Sequence, residues 1–185
     1  MIKTTNEDSN SSGIKARFRA WRPVLWFGLK FCFLMSLYYC LVLIPFFDRL
    51  FYQYLRANAW LSNTIINMLG QASQVTEVTI RLGGFAIAIR RGCDAIEPAW
   101  FFCAAVLAFP AAVSRKLPGI VVGSAAILLL NLARIVTLFF IGLKIPGLFD
   151  IAHLEIWPAA FILAAILLWA GWIRWVKAGG QGRTA

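Results

Sequence analysis

Residues 120–143 read IVVGSAAILLLNLARIVTLFFIGL (Ile120–Leu143), an apolar run with one charge, Arg134, set inside it. About 20 such residues cross the roughly 30 Å of hydrocarbon in a bilayer. No polar stripe recurs at helical period, as it would on a water-facing helix. The run therefore predicts a membrane-spanning helix, and three others flank it. Val24–Phe47 is broken near its end by Pro45, Ala95–Val113 precedes the polar turn Ser114–Gly119, and Pro158–Trp175 closes the set.

Composition supports the same class. Of 185 residues 61% are hydrophobic and 14% charged, with eight Trp and fifteen Phe. A soluble domain of this size could not cover so much apolar surface. The net charge of +10 does not indicate nucleic acid, because the basic residues border apolar runs instead of forming one polar face. Lipid headgroups and the positive-inside rule account for it. The expected fold is an all-α polytopic membrane protein, a bundle of about four main transmembrane helices.

Orientation follows from Lys and Arg at the span ends. Four spans put both termini and the Ser114–Gly119 turn on one side, with Lys15, Arg17, Arg19, Arg22, Arg115, Lys116, Arg174 and Lys177 among its charges. The other side carries fewer positive charges over more residues, including Arg49, Arg56, Arg81, Arg90, Arg91 and Lys144. This predicts a basic cytoplasmic tail over 1–22, a membrane domain over 23–175 and a cytoplasmic tail over 176–185. Met1–Gly13, polar and rich in Ser and Asn, is expected to be disordered. An extracytoplasmic insert spans about 48–92. Within it, Leu61, Ile65, Met68 and Leu69 recur at helical spacing and predict a short interfacial helix over Asn58–Gly70. Val78, Ile80 and Leu82, then Phe85, Ile87 and Ile89, alternate on either side of Gly83-Gly84, the pattern of a β-hairpin.

The hairpin leads directly to Arg90-Arg91-Gly92-Cys93. Cys32, Cys40 and Cys103 fall inside spans and read as small apolar fillers. Cys93 instead lies where loop meets helix, in Cys93-Asp94-Ala95-Ile96-Glu97, with Asp94 and Glu97 at capping-box spacing. A helix N-terminus and neighbouring arginines favour a thiolate, whereas Asp94 opposes it. Arg134 at membrane depth is costly and marks a functional or ion-paired position. Asn131 shares its helix face. His153, the chain's only histidine, lies in the second external loop. Cys and His supply a nucleophile and a proton carrier, and Arg can bind a carboxylate or an oxyanion. One His without clustered external carboxylates makes a poor zinc site, so neither metal nor cofactor is expected.

Gly-Cys opening one span, Asn-x-x-Arg-Ile within the next, and His before the last resemble the exosortase/archaeosortase family, and the short chain resembles a compact, exosortase H-like variant. The resemblance covers about Arg91 to Trp172, and Asp94 departs from the small residue that many members place there. It implies a cysteine protease or transpeptidase of a bacterial inner membrane. Catalytic roles fall to Cys93, Arg134 and His153, with Asn131, Arg91 and Asp94 in support. The implied partners are membrane lipids and exported proteins ending in a short motif, a transmembrane helix and a basic tail, with no nucleic acid. A small transporter or a non-catalytic assembly protein is the competing expectation.

Overall fold

The computed structural model describes the backbone of residues 5–181 and the side chains of 21–179. Helix α1 runs Thr5–Val42, and α2, Pro45–Met68, starts after a short break. Pro45 causes that break: it fits the first turn of a new helix but cannot continue an old one. A three-stranded antiparallel sheet follows, β1 (Gln74–Thr76), β2 (Thr79–Leu82) and β3 (Phe85–Ala88), in the order β1-β2-β3. Then come α3 (Ile96–Ala108) and α4 (Val113–Lys144). A 3₁₀ turn (Pro146–Leu148), a single helical turn α5 (Phe149–Ile151) and a π-helical turn (Ala152–Ile156) lead into α6 (Trp157–Gln181).

The all-α membrane class holds, with three helices among the described residues long and apolar enough to cross a bilayer, over Trp21–Val42, Val113–Lys144 and Pro146–Gly179. The expected second span is shorter than read. Helix α3 has 13 residues, about 20 Å at 1.5 Å per residue, too little to cross alone. The polar stretch Ser114–Gly119 is no loop but the opening turns of α4. Its charges bond neighbouring helix ends: Lys116 Nζ donates to Leu107 O at 2.6 Å and Arg115 Nη2 to Gly179 O at 2.6 Å. The start of α4 and the end of α6 therefore share one end of the bundle.

Three further expectations change. Backbone from Thr5 to Gly13 is helical, while Met1–Thr4 and Gly182–Ala185 lie outside the described residues. The insert helix begins at Pro45, and its buried face is Leu55, Asn58, Ala59, Ser62 and Ile66. Leu61, Met68 and Leu69 are exposed instead, because partly polar α2 packs the sheet and α4 through a different stripe. Cys32 and Cys40 also face outward and fill no core, whereas Cys103 lies 3.2 Å from Ser124 Oγ.

The hairpin has the expected two-residue Gly83-Gly84 turn, with Leu82 opposite Phe85. A third strand was missed, because β1 joins β2 through Glu77-Val78, a turn with no glycine and Glu77 at φ +55°. Ile80 of β2 and Ile89 just past β3 meet Leu55, Ile66, Ile135 and Phe139 in one core. A second core joins Phe102 and Val106 of α3, Ile127 of α4 and Phe161 and Trp172 of α6. Small residues permit this contact, as is usual between membrane helices: a Cβ at Gly123 would collide with the Phe102 ring and one at Gly119 with Trp172. Gly28 on α1 faces open space. Gly123→Leu should therefore destabilise the detergent-solubilised protein by about 1–3 kcal/mol, read as a fall in thermal midpoint, whereas Gly28→Leu should leave it unchanged.

Candidate functional site

Arg134 lies on the inner stripe of α4, where Ile127, Asn131, Arg134, Ile135 and Leu138 are all buried at three- and four-residue spacing. Its side chain is 7% exposed, its guanidinium lies over the Phe161 ring at 5.6 Å, and its Nε has no partner. Nη2 reaches two groups from distant parts of the chain. His153 Nδ1 is 3.4 Å away and Cys93 Sγ 3.9 Å. Cys93 Sγ lies 3.7 Å from His153 Nε2, which closes the triangle.

Each corner has a local cause. Beyond β3, Ile89 N–H donates to Val78 O at 2.8 Å, and a turn closes through Cys93 N–H to Arg90 O at 3.0 Å. That turn needs Gly92, whose φ of +86° side chains rarely adopt. Ala95, at φ +59°, takes a left-handed conformation that costs about 1–2 kcal/mol outside glycine. Tyr54 OH holds the preceding carbonyl, Asp94 O, at 2.7 Å, and Asp94 Oδ1 accepts from Ile96 N–H at 3.1 Å. The expected capping box does not form, since α3 starts only at Ile96 and Glu97 accepts instead from Tyr39 OH at 2.6 Å. His153 lies not in a loop but in the π-helical turn before α6, stacked on Phe149 at 5.6 Å and 19°. Single π turns of this kind are frequent at functional sites.

The supporting residues sort differently. Asn131 is fully buried, yet it turns to α2, where its Nδ2 donates to Asn58 Oδ1 at 3.3 Å and its own Oδ1 stays unpartnered. Arg91 is half exposed, paired with Asp48 and placed over the Phe51 ring, so it does not serve the thiol. Asp94 is buried and holds the helix start. Tyr54, Asn58, Phe149 and Phe161 escaped the sequence reading. The contacts of Tyr54 and Asn58 lie 40 and 73 residues away.

Burial pushes the Cys93 thiol above its ordinary range. The Arg134 guanidinium pulls it back and Asp94 adds to the rise. The expected helix-dipole help is weak, because the helix starts three residues later and such effects fade within a turn. Burial also raises the Asp94 carboxyl, against backbone N–H groups and Arg91. Two cavities meet at Arg134. One of about 360 Å³ holds Cys93 and His153 beside β3, and one of about 1040 Å³ opens between α1, α3 and α6, walled by Phe31, Phe101, Phe161 and Trp169.

No protein-family model, curated protein or solved structure matches the chain. The geometry therefore stands on its own residues. It predicts that the pH midpoint of Cys93 alkylation by iodoacetamide lies above that of an ordinary thiol. Removing the positive charge that lowers it, by Arg134→Gln, should raise that midpoint further. A midpoint unmoved or lowered in the variant would contradict the assigned electrostatics.

Proposed function

We propose that the chain is a membrane-embedded cysteine peptidase or transpeptidase of the exosortase type, which cleaves C-terminal sorting signals of exported proteins at the extracytoplasmic face of a bacterial inner membrane. One observation carries the reading. A thiol, an imidazole and a guanidinium separated by 19 to 60 residues in sequence converge within 3.4–3.9 Å, at the end of the bundle opposite Arg115 and Gly179. Such a thiol–imidazole pair, with a third group orienting the base, is the signature of an activated nucleophile. The distances are loose, as catalytic contacts commonly are before substrate tightens them.

The chemistry follows from the three positions. Cys93 Sγ attacks the scissile carbonyl carbon, an S–C bond forms, and the thiol proton passes to His153. Negative charge collects on the carbonyl oxygen, where the Arg134 guanidinium supplies N–H donors. The C–N bond then breaks as His153 Nε2 gives its proton to the departing amine, leaving a thioester on Cys93. Water, or an amine or hydroxyl of an acceptor, attacks that thioester, the S–C bond breaks, and the proton of the attacking group passes through His153 to the released sulfur. The large cavity beside Arg134 is apolar and open between helices, a setting suited to the substrate's own transmembrane helix.

The test is co-expression with an exported protein ending in motif, apolar helix and basic tail. Cys93→Ala and His153→Ala should each cut processing at least a hundredfold. Wild-type chain quenched in acid should carry a hydroxylamine-sensitive adduct on Cys93. Undiminished processing by Cys93→Ala would refute the reading and leave the transporter or assembly alternatives.

A further inference from the structure

The small cavity has a wall that the catalytic triangle does not use. Residues Ala86 to Arg90 line it along β3, opposite Ile135, Leu138 and Phe149, with Cys93 and His153 at one end. Strand β3 is an edge of the sheet, bonded to β2 alone. In an antiparallel ladder successive residues turn their N–H and C=O groups to opposite sides. The pairs Leu82–Phe85 and Ile80–Ile87, continued by the Ile89-to-Val78 bond, direct Phe85, Ile87 and Ile89 toward β2. Ala86 and Ala88 therefore direct their backbone groups outward, away from β2, and both residues line the cavity.

Natural sheets normally protect such an edge with charge, proline or a covering element. The two outward residues here, Ala86 and Ala88, bring neither charge nor proline, and their side chains are exposed. An unprotected edge that ends beside a nucleophile is suited to one occupant, an extended peptide. Strand addition to a free edge is a general mode of peptide capture, in which the main chain supplies affinity and alternate side chains supply specificity.

We infer that the segment to be cleaved binds as a fourth strand on β3, hydrogen-bonded to the backbone of Ala86 and Ala88, so that its scissile carbonyl lies at Cys93. This rests on the peptidase reading and names how the substrate is held. The added strand would alternate, with every second side chain toward the apolar wall of Ile135, Leu138 and Phe149 and the others away from it. Recognition is then chiefly of backbone, and the motif carries an apolar residue at one parity.

The probe is acetyl-tetra-alanyl chloromethyl ketone, applied to the full chain in detergent. Cys93 Sγ displaces chloride, an S–C bond replacing the C–Cl bond, so labelling is read by mass. Four further probes carry one N-methyl group each, at successive amides. Labelling should fall at least fivefold for amides of one parity, which lose a hydrogen bond to β3, and stay within twofold for the other. Ala88→Pro removes an outward N–H and no ladder bond, so it should lower peptide labelling to a similar extent. Its iodoacetamide rate should stay within twofold of wild type.

Equal labelling by all N-methyl probes, with Cys93 still forming its thioester on the co-expressed substrate, overturns strand addition and leaves the peptidase reading standing. If iodoacetamide reacts but no peptide probe does, and no thioester forms, both fall together.

Discussion

A guanidinium buried within a membrane helix must be met by other groups, and what meets Arg134 organises the site around it. The cost of such a charge at membrane depth runs to several kcal/mol. The compensation comes from three directions: Cys93 from the insert, His153 from the turn before α6, and the Phe161 ring from α6, while Nε stays buried without a partner. Because these groups sit on separate elements, Arg134 joins parts of the fold that the apolar cores leave apart. The core under the sheet and the core between α3, α4 and α6 share no buried residue. Arg134 lies on α4 between them.

Helix α2 performs the complementary task. Along one face it places Tyr54, Asn58 and Ser62 four residues apart. Tyr54 holds the carbonyl of Asp94 and Asn58 meets Asn131, one turn before Arg134. The insert helix thus ties the segment carrying the thiol to the helix carrying the guanidinium. Buried amides and hydroxyls must be partnered to be worth their desolvation. Ser62 Oγ and Asn131 Oδ1 remain without one. Asn131 lies in this α2–α4 seam, and Ser62 shares the buried stripe of α2 with Asn58. A purely apolar seam would pack as tightly but would not specify which face of α2 meets α4.

The membrane class was legible because apolar run length reports it directly, and the hairpin because Gly83-Gly84 separates two alternating runs. The triangle was legible by its odd chemistry: a lone histidine, a charge inside a span and a cysteine beside glycine. What could not be read depended on contacts remote in sequence. The partners of Asn131 and Arg91 lie 73 and 43 residues away, and no local pattern assigns them. The span over Ala95–Val113 was overread because apolarity alone does not reveal where a helix stops. Phe109-Pro110-Ala111-Ala112 ends α3 early, and the charges that resemble a loop begin α4. The face of α2 was misread for a related reason. Helical spacing shows that a stripe exists, but the polar groups buried on α2 hid the stripe that packs.

The proton inventory of the triangle gives its chemistry a direction. Arginine has only donors, so the contact from Arg134 Nη2 requires an unprotonated Nδ1 on His153. A neutral imidazole then carries its proton on Nε2, facing the sulfur, and the sulfur must accept. A thiolate accepts far better than a thiol. The reverse tautomer would aim an N–H at a guanidinium and leave two donors opposed. Hydrogen bonding therefore favours the ionised sulfur, while burial and Asp94 oppose it. A neutral imidazole cannot itself supply the leaving amine, because losing its Nε2 proton would make it imidazolate. On the proposed reading the amine's proton is the one that the Cys93 thiol gives up, which the imidazole holds as imidazolium while the tetrahedral adduct lasts. Nδ1 then carries a proton and no longer accepts from Arg134, so the guanidinium is freed for the developing oxyanion at the step that needs it.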